Sequence, residues 1–495
     1  MNLRTGGNDP LRVLLSLLFL LLVFIPEVRG EGFSLESFSC HIELNPEEGH
    51  LRGLADLTVT FPKLPSCSPM LGLREGLQPT IAWEFLGGKW VSLPCKKDRK
   101  ILVVFPTLQS GTHRLKIQFE GDLPRAGVDK ASTTTGEKLD GTTKSAMSPT
   151  FGQLLSTECW HPWIPALGTP RPVNGAILSV SIPDTYQVVA PGKKLKDVLN
   201  LGVRTTTWQI GSGARLGGFS LFYSNHHTLV SQTVQGRVLG VFLPTTRAEL
   251  APLLISALDS IIRHHSSCLK IPYPYQHQTI VFSDLFPSRW GYGKYAETLL
   301  VASDYLEVMA SRSPAERQLK ALSFIGHELG HHWFGILIGL DEYMAFEEGM
   351  AELLASLATT KLFGETGRTA WRQEAMRNLK TFFSKGGQDF PLKDDVAKYL
   401  VNPTLDPNIF RYAKDLELTK FPLYMWKARA ILGDKDFYLT IQAFSRGFVG
   451  GKIRSWEDFL AALPASVNKE KRELIQELFL IKHASLEDLV AFLGN

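Results

Sequence analysis

His327 and His331 stand four residues apart in the stretch HELGHHWFG, His327 to Gly335, with Glu328 beside them. In a helix, residues at that spacing lie one above the other on a single face, so two imidazoles can hold one metal ion. Glu328 then presents a carboxylate next to the pair. Two nitrogen ligands, a neighbouring base and an open coordination position are the parts of a hydrolytic zinc site, which needs one further protein ligand. EEGMAE, Glu347 to Glu352, follows at the distance of one more helix, and Glu348 could complete a two-histidine, one-glutamate set. Glu347 would face about 100° away on that helix.

Something must present these residues. Ser313, Pro314 and Glu316 form a capping box with proline in the first turn, so a helix is expected to begin there. Leu319, Leu322, Ile325 and Leu329 give it a buried face, and Gly339 is the expected stop. A second helix is expected from about Ala345 to Leu362. Upstream, VQGRVLGVFLP and QTIVFSD read as strands flanking a helix from Arg247 to about His265, which begins a mixed α/β unit that turns helical. From Phe33 to about Ser231 the runs HIELN, LADLTVTF, ILVVF, RLKIQFEG, AILSVSIP, TTTWQIG and FSLFYS alternate with turn residues, which predicts an antiparallel β domain, a sandwich or a saddle. The Gly/Ser/Thr/Lys-rich stretch 124–150 lacks apolar residues to pack and reads as a flexible loop. The expected organisation is therefore a signal segment at 1–30, a β domain at 31–232 and a catalytic domain at 233–495.

The segment 1–30 places Arg4 and Arg12 before the apolar run Val13 to Ile25 and small residues before Glu31, the pattern of a secretory signal. An uncleaved anchor is the membrane alternative, so the expected compartment is secreted or periplasmic. The formal net charge is +4, and +3 once Arg4, Arg12 and Arg29 leave together with Asp9 and Glu27. With no basic stripe or aromatic-interleaved lysine cluster, nucleic acid is excluded as a partner. The five cysteines show no C-x-x-C spacing, so sulfur ligation is not expected. Disulfides among Cys40, Cys67, Cys95 and Cys159 remain open alongside plain thiols. His226-His227 and His264-His265 are adjacent pairs, whose rings point in different directions on a regular helix or strand, and are not read as metal sites.

HELGHHWFG with EEGMA resembles the zinc aminopeptidases of the aminopeptidase N and leukotriene-hydrolase type, a gluzincin group that reads H-E-x-x-H-x-W-F-G followed by N-E-G-F-A. IPYPYQHQTIVFSD and LYMWKARAILGDKDF extend the likeness, and the β-rich half is similar to that family's saddle domain. The resemblance implies an α+β multidomain protein with a thermolysin-like α/β-to-α catalytic domain. It implies one zinc per chain on His327, His331 and Glu348, Glu328 as general base, and hydrolysis of peptide or protein substrates, most simply as an aminopeptidase.

The departures concern the substrate side. Sixteen residues separate His331 from Glu348, fewer than the family usually has. LFPSR replaces the segment whose glutamate binds the substrate amine, so Ser288 and Arg289 stand at that subsite, with Glu158 or Asp284 as substitutes. Leu418 falls where the oxyanion-stabilising tyrosine belongs, and Tyr412 is the nearest replacement. The chain ends at Asn495 without the family's helical C-terminal domain, which leaves an open cleft as the expectation. Two further readings follow: an endopeptidase without the amine anchor, and a catalytically silent zinc-binding protein.

Overall fold

Alternation of buried and exposed residues organises the N-terminal half of the computed structural model. In strand His50–Phe61 the side chains of Leu51, Ala55, Leu57, Val59 and Phe61 turn inward, and in Gly111–Asp122 Leu115, Ile117 and Phe119 meet them. The structure describes residues 34–61, 70–73, 76–98, 101–104, 110–123, 147–155, 175–211, 220–285, 291–295, 297–334, 344–384, 421–447 and 456–481.

These strands belong to an eight-stranded sheet in the order Lys193–Asn200, Val203–Ile210, Ala176–Pro183, Ser34–Asn45, His50–Phe61, Gly111–Asp122, Leu77–Leu86, Lys89–Leu93. The expected antiparallel arrangement holds except at one pairing: Ser34–Asn45 and Ala176–Pro183 run parallel. Two three-stranded sheets accompany it, one of them Gln187–Val189, Ser220–Ser224 and Phe151–Leu155.

The first strand of the mixed sheet begins at His227. That sheet runs His227–Val234, Arg237–Pro244, His277–Ser283, Thr298–Ala302, Gly291–Tyr295, parallel in the middle and antiparallel at both ends. Helix α1, Ala251–Leu269, packs on this sheet and buries Leu254, Leu258 and Ile261. Next come α2, Asp304–Ala310; α3, Pro314–Trp333; α4, Met344–Phe363; and α5, Glu365–Ser384. Helices α6, 421–432, and α7, Asp434–Gly447, follow. One continuous apolar core joins the large sheet, the mixed sheet and these helices.

Helix α3 starts where the cap predicts: Ser313 Oγ accepts from the Glu316 N–H, and Glu316 Oε2 accepts from the Ser313 N–H at 3.1 Å. It ends at Trp333, short of the expected Gly339, because Phe334 leaves the helix in an extended conformation (φ −98°, ψ 104°) and is fully buried. Cys40, Cys95 and Cys268 are free thiols, while Cys67 and Cys159 lie outside the described residues. Among the described residues no helix is long and apolar enough to cross a membrane. The signal segment 1–30 and the stretch 124–146 also lie outside them.

Candidate metal centre

Helix α3 is held along its length by polar side chains from its neighbours. Tyr305 donates to the Lys320 carbonyl, His265 Nε2 donates to the Gly326 carbonyl at 2.9 Å, and Trp333 Nε1 donates to the Ile271 carbonyl. Burial pushes the His265 pKa down to about 3, so this ring stays a neutral donor. At the C-terminal end Tyr273 gives its proton to Gln278 and accepts from His332 Nδ1 at 2.7 Å. His332 is thereby occupied on the side of the helix away from the motif face, while Tyr275 packs edge-on against its ring.

The register of α3 against α4 comes from small residues. A side-chain carbon at Gly330 would sit 2.6 Å from the Ala351 Cα, and one at Gly326 would sit 3.2 Å from the Ala355 Cα. Both glycines precede a motif histidine, and both alanines lie on the glutamate helix at the same four-residue interval. The two backbones approach closely enough for Glu348 to reach across.

Glu348 Oε2 lies 3.4 Å from His327 Nε2 and 3.6 Å from His331 Nε2. Ligands held around 2.0–2.2 Å from one tetrahedral zinc are about 3.4 Å apart, so this donor set fits the ion. The ligand atoms of the trio all lie within 4.8 Å of one another, with the two rings nearly perpendicular and their centroids 5.0 Å apart. Glu348 and Glu328 are each 6% exposed, and Glu328 is not among the grouped ligands.

The other nitrogen of His327 is engaged as well. Glu352 Oε2 sits 3.0 Å from His327 Nδ1, and Trp371 Nε1 from α5 donates to Glu352 Oε1 at 3.2 Å. That arrangement keeps a proton on Nδ1 and turns Nε2 toward Glu348. Burial acts to lower the His327 pKa, but hydrogen bonds to Glu348 and Glu352 and the charge of Glu328 outweigh it and hold the ring well above the usual imidazole range. Three carboxylates converging on two histidines make a site that favours positive charge, which a divalent cation supplies.

Residues 255–478 match the model of the peptidase family M1 domain. This segment is an M1 peptidase domain. It carries the trio, Glu328 and Glu352, so the family likeness read from HELGHHWFG and EEGMA is borne out. A curated relative, endoplasmic reticulum aminopeptidase 1 of Mus musculus, is 21% identical over 172 residues, covering 34% of this chain and 17% of that protein. The human protein of the same name is 24% identical over 137 residues, covering 26% of this chain and 14% of its own length. The matched stretch is thus under a fifth of either curated relative.

Among solved structures, an M1 zinc metallopeptidase mutant from Deinococcus radiodurans bound to a Tyr-Ser-Ala substrate superposes with a TM-score of 0.62 at 16% identity, over 91% of this chain and 94% of that one. A two-domain M1 zinc metallopeptidase bound to L-arginine gives 0.63 at 16% identity, over 92% and 95%. The likeness is one of fold: a β-sheet domain followed by a helical catalytic domain, as the α+β reading expected.

The structure brings His327, His331 and Glu348 together as the motif predicts and places Glu328 on the same helix. Tyr412, Leu418, Glu158, Ser288 and Arg289 lie outside the described residues. Asp284 is described, and it pairs with His226 rather than standing alone. Glu352 and Trp371 were not singled out as functional, although Glu352 follows Glu348 by four residues and so shares its face. Glu352→Gln is expected to weaken zinc binding about 10–100-fold, because the amide no longer anchors the Nδ1 proton as a carboxylate does. Zinc titration against a chromophoric chelator measures this, and an unchanged affinity would mean that Glu352 does not orient the ligand.

Proposed function

We propose that the chain is a zinc metallopeptidase that removes residues from the free N-terminus of peptides. The observation that carries this reading is the trio of His327, His331 and Glu348 with Glu328 buried beside it on the same helix. Bound there, zinc would supply Lewis-acid polarisation of a carbonyl and lower the pKa of water. Glu328 takes the proton released as water adds to the substrate carbonyl and delivers it to the leaving amine.

Strand Gly291–Tyr295 is the edge of the mixed sheet and packs beside α3. A peptide main chain can add to such an edge through backbone hydrogen bonds, which orients a scissile bond along the helix that carries the histidines. Peptide as substrate is supported by the relative of the same fold bound to Tyr-Ser-Ala, and the exopeptidase preference by the aminopeptidases that the M1 segment resembles. One zinc per chain at the trio is part of the proposal, as is a secreted or periplasmic location, which rests on the arginine-flanked apolar run Val13 to Ile25.

The endopeptidase reading draws on one specific feature: Ser288 stands where an amine-binding carboxylate would be expected. Zinc-loaded protein should cleave a peptide with a free N-terminus at least about ten-fold faster than its acetylated form, since an acetylated end forfeits a charge-assisted hydrogen bond. Equal rates would rule out the aminopeptidase and favour internal cleavage. No turnover of either peptide at full zinc occupancy would leave a zinc-binding protein without catalysis.

A further inference from the structure

Between strands Ser220–Ser224 and His227–Val234 the chain bends at Asn225 and His226, so His226 lies outside regular strand and His227 opens the next one. Their rings do not diverge. The centroids are 4.6 Å apart, and one nitrogen of each turns toward the same carboxylate, that of Asp284 just beyond strand His277–Ser283. His226 Nε2 lies 2.8 Å from Asp284 Oδ2, and His227 Nε2 lies 4.0 Å from Asp284 Oδ1. The three groups offer ligand atoms that all lie within 4.8 Å of one another.

The far side of both rings is also furnished. His227 Nδ1 is 3.0 Å from Ser224 Oγ, and His226 Nδ1 is 3.2 Å from both Ser224 Oγ and Asn225 Oδ1. Ser224 gives its own proton to the Thr150 carbonyl at 2.9 Å, and its Oγ also accepts from the backbone N–H groups of His226 and His227 at 3.1 and 3.2 Å. Each Nδ1 therefore faces an oxygen, while His226 Nε2 faces the carboxylate and His227 Nε2 points at the Phe282 carbonyl with the carboxylate 4.0 Å away; an oxygen behind the ring is what orients a histidine as a metal ligand.

We infer that His226, His227 and Asp284 form a second divalent-metal site, separate from the trio on α3 and α4 and selective for zinc or a similar first-row cation. Two imidazoles and one carboxylate suit such ions, whereas calcium and magnesium prefer oxygen ligands throughout. Binding at His227 needs only a tautomer change. The Nε2 proton, directed at the Phe282 carbonyl at 3.0 Å, moves to Nδ1 and meets Ser224 Oγ, and the freed carbonyl lies on the ligand side. His226 and Asp284 are 43% and 34% exposed at their side chains, so water completes the coordination and the affinity is lower than at the buried trio. The ion would clip the end of the three-stranded sheet, the first strand of the mixed sheet and the start of the segment leading to Ser288.

The test uses full-length protein stripped with a chelator and reloaded with zinc, with metal counted per chain and binding followed by calorimetry. Two equivalents are expected at saturating free zinc. His226→Ala, on an exposed side chain, should hold one equivalent and keep peptide hydrolysis; Asp284→Asn should also hold one. A variant combining His327→Ala and His331→Ala should lose hydrolysis but retain one equivalent, and zinc should raise its melting temperature until His226→Ala is added. A single equivalent in the wild type that His226→Ala leaves in place would overturn the second site, as would two equivalents in His226→Ala. A single equivalent that His226→Ala removes would uphold this site and count against the trio.

Discussion

Glu328→Gln is expected to leave the fold and zinc binding intact and to lower peptide hydrolysis by about 10²–10⁴, the range that a positioned general base contributes. Glutamine matches glutamate in shape, so the buried position beside the histidines stays filled, and the ligand trio does not include residue 328. What is lost is the capacity to accept a proton, since an amide oxygen has negligible basicity at neutral pH. The effect should fall on kcat, with KM little changed, because the proton transfer belongs to the transition state. Metal content measured in parallel separates this outcome from loss of zinc. Normal hydrolysis by Glu328→Gln would refute the base assignment, and loss of metal would show that Glu328 is itself needed to hold the ion.

The parts of this centre that were legible in sequence are those set by a single helix. Four-residue spacing of His327 and His331 and the cap at Ser313 are local facts, and both stand as read. The end of the same helix was not legible, because Phe334 turns out of it to enter the core, a choice made by packing partners distant in sequence. Glu352 shows the same limit: its spacing from Glu348 gives the face, but only the pairing of α3 with α4 shows that the face meets His327 Nδ1. The parallel pairing of Ser34–Asn45 with Ala176–Pro183 depends on strands far apart in the chain, which alternation alone cannot assign. The divergence of adjacent side chains on a helix or strand argues against pairing His226 with His227, but His226 sits in a bend where that argument has no force.

Gly330→Ala should weaken both the fold and the metal centre, because the added carbon meets backbone rather than a movable side chain. At 2.6 Å from the Ala351 Cα and 2.9 Å from its Cβ, it lies well inside normal van der Waals separation, and neither atom can rotate away. Relief requires α3 and α4 to separate. Overpacking of this kind costs about 1–3 kcal/mol of stability. The larger consequence is chemical. Ala351 is one turn from Glu348, so the same displacement carries Glu348 away from His327 and His331, while ligand distances tolerate only about 0.2 Å. Zinc affinity should therefore fall by at least about ten-fold, equivalent to some 1.4 kcal/mol of binding. Gly447→Ala, where nothing lies within 4 Å of the added carbon, is the matched control and should change neither property. Denaturant melts and zinc titrations of the two variants decide it. If Gly330→Ala binds zinc as tightly as the wild type, the close approach of the helices is not what sets the reach of Glu348, and the geometry of the trio must be held from elsewhere, through Trp371 and Glu352.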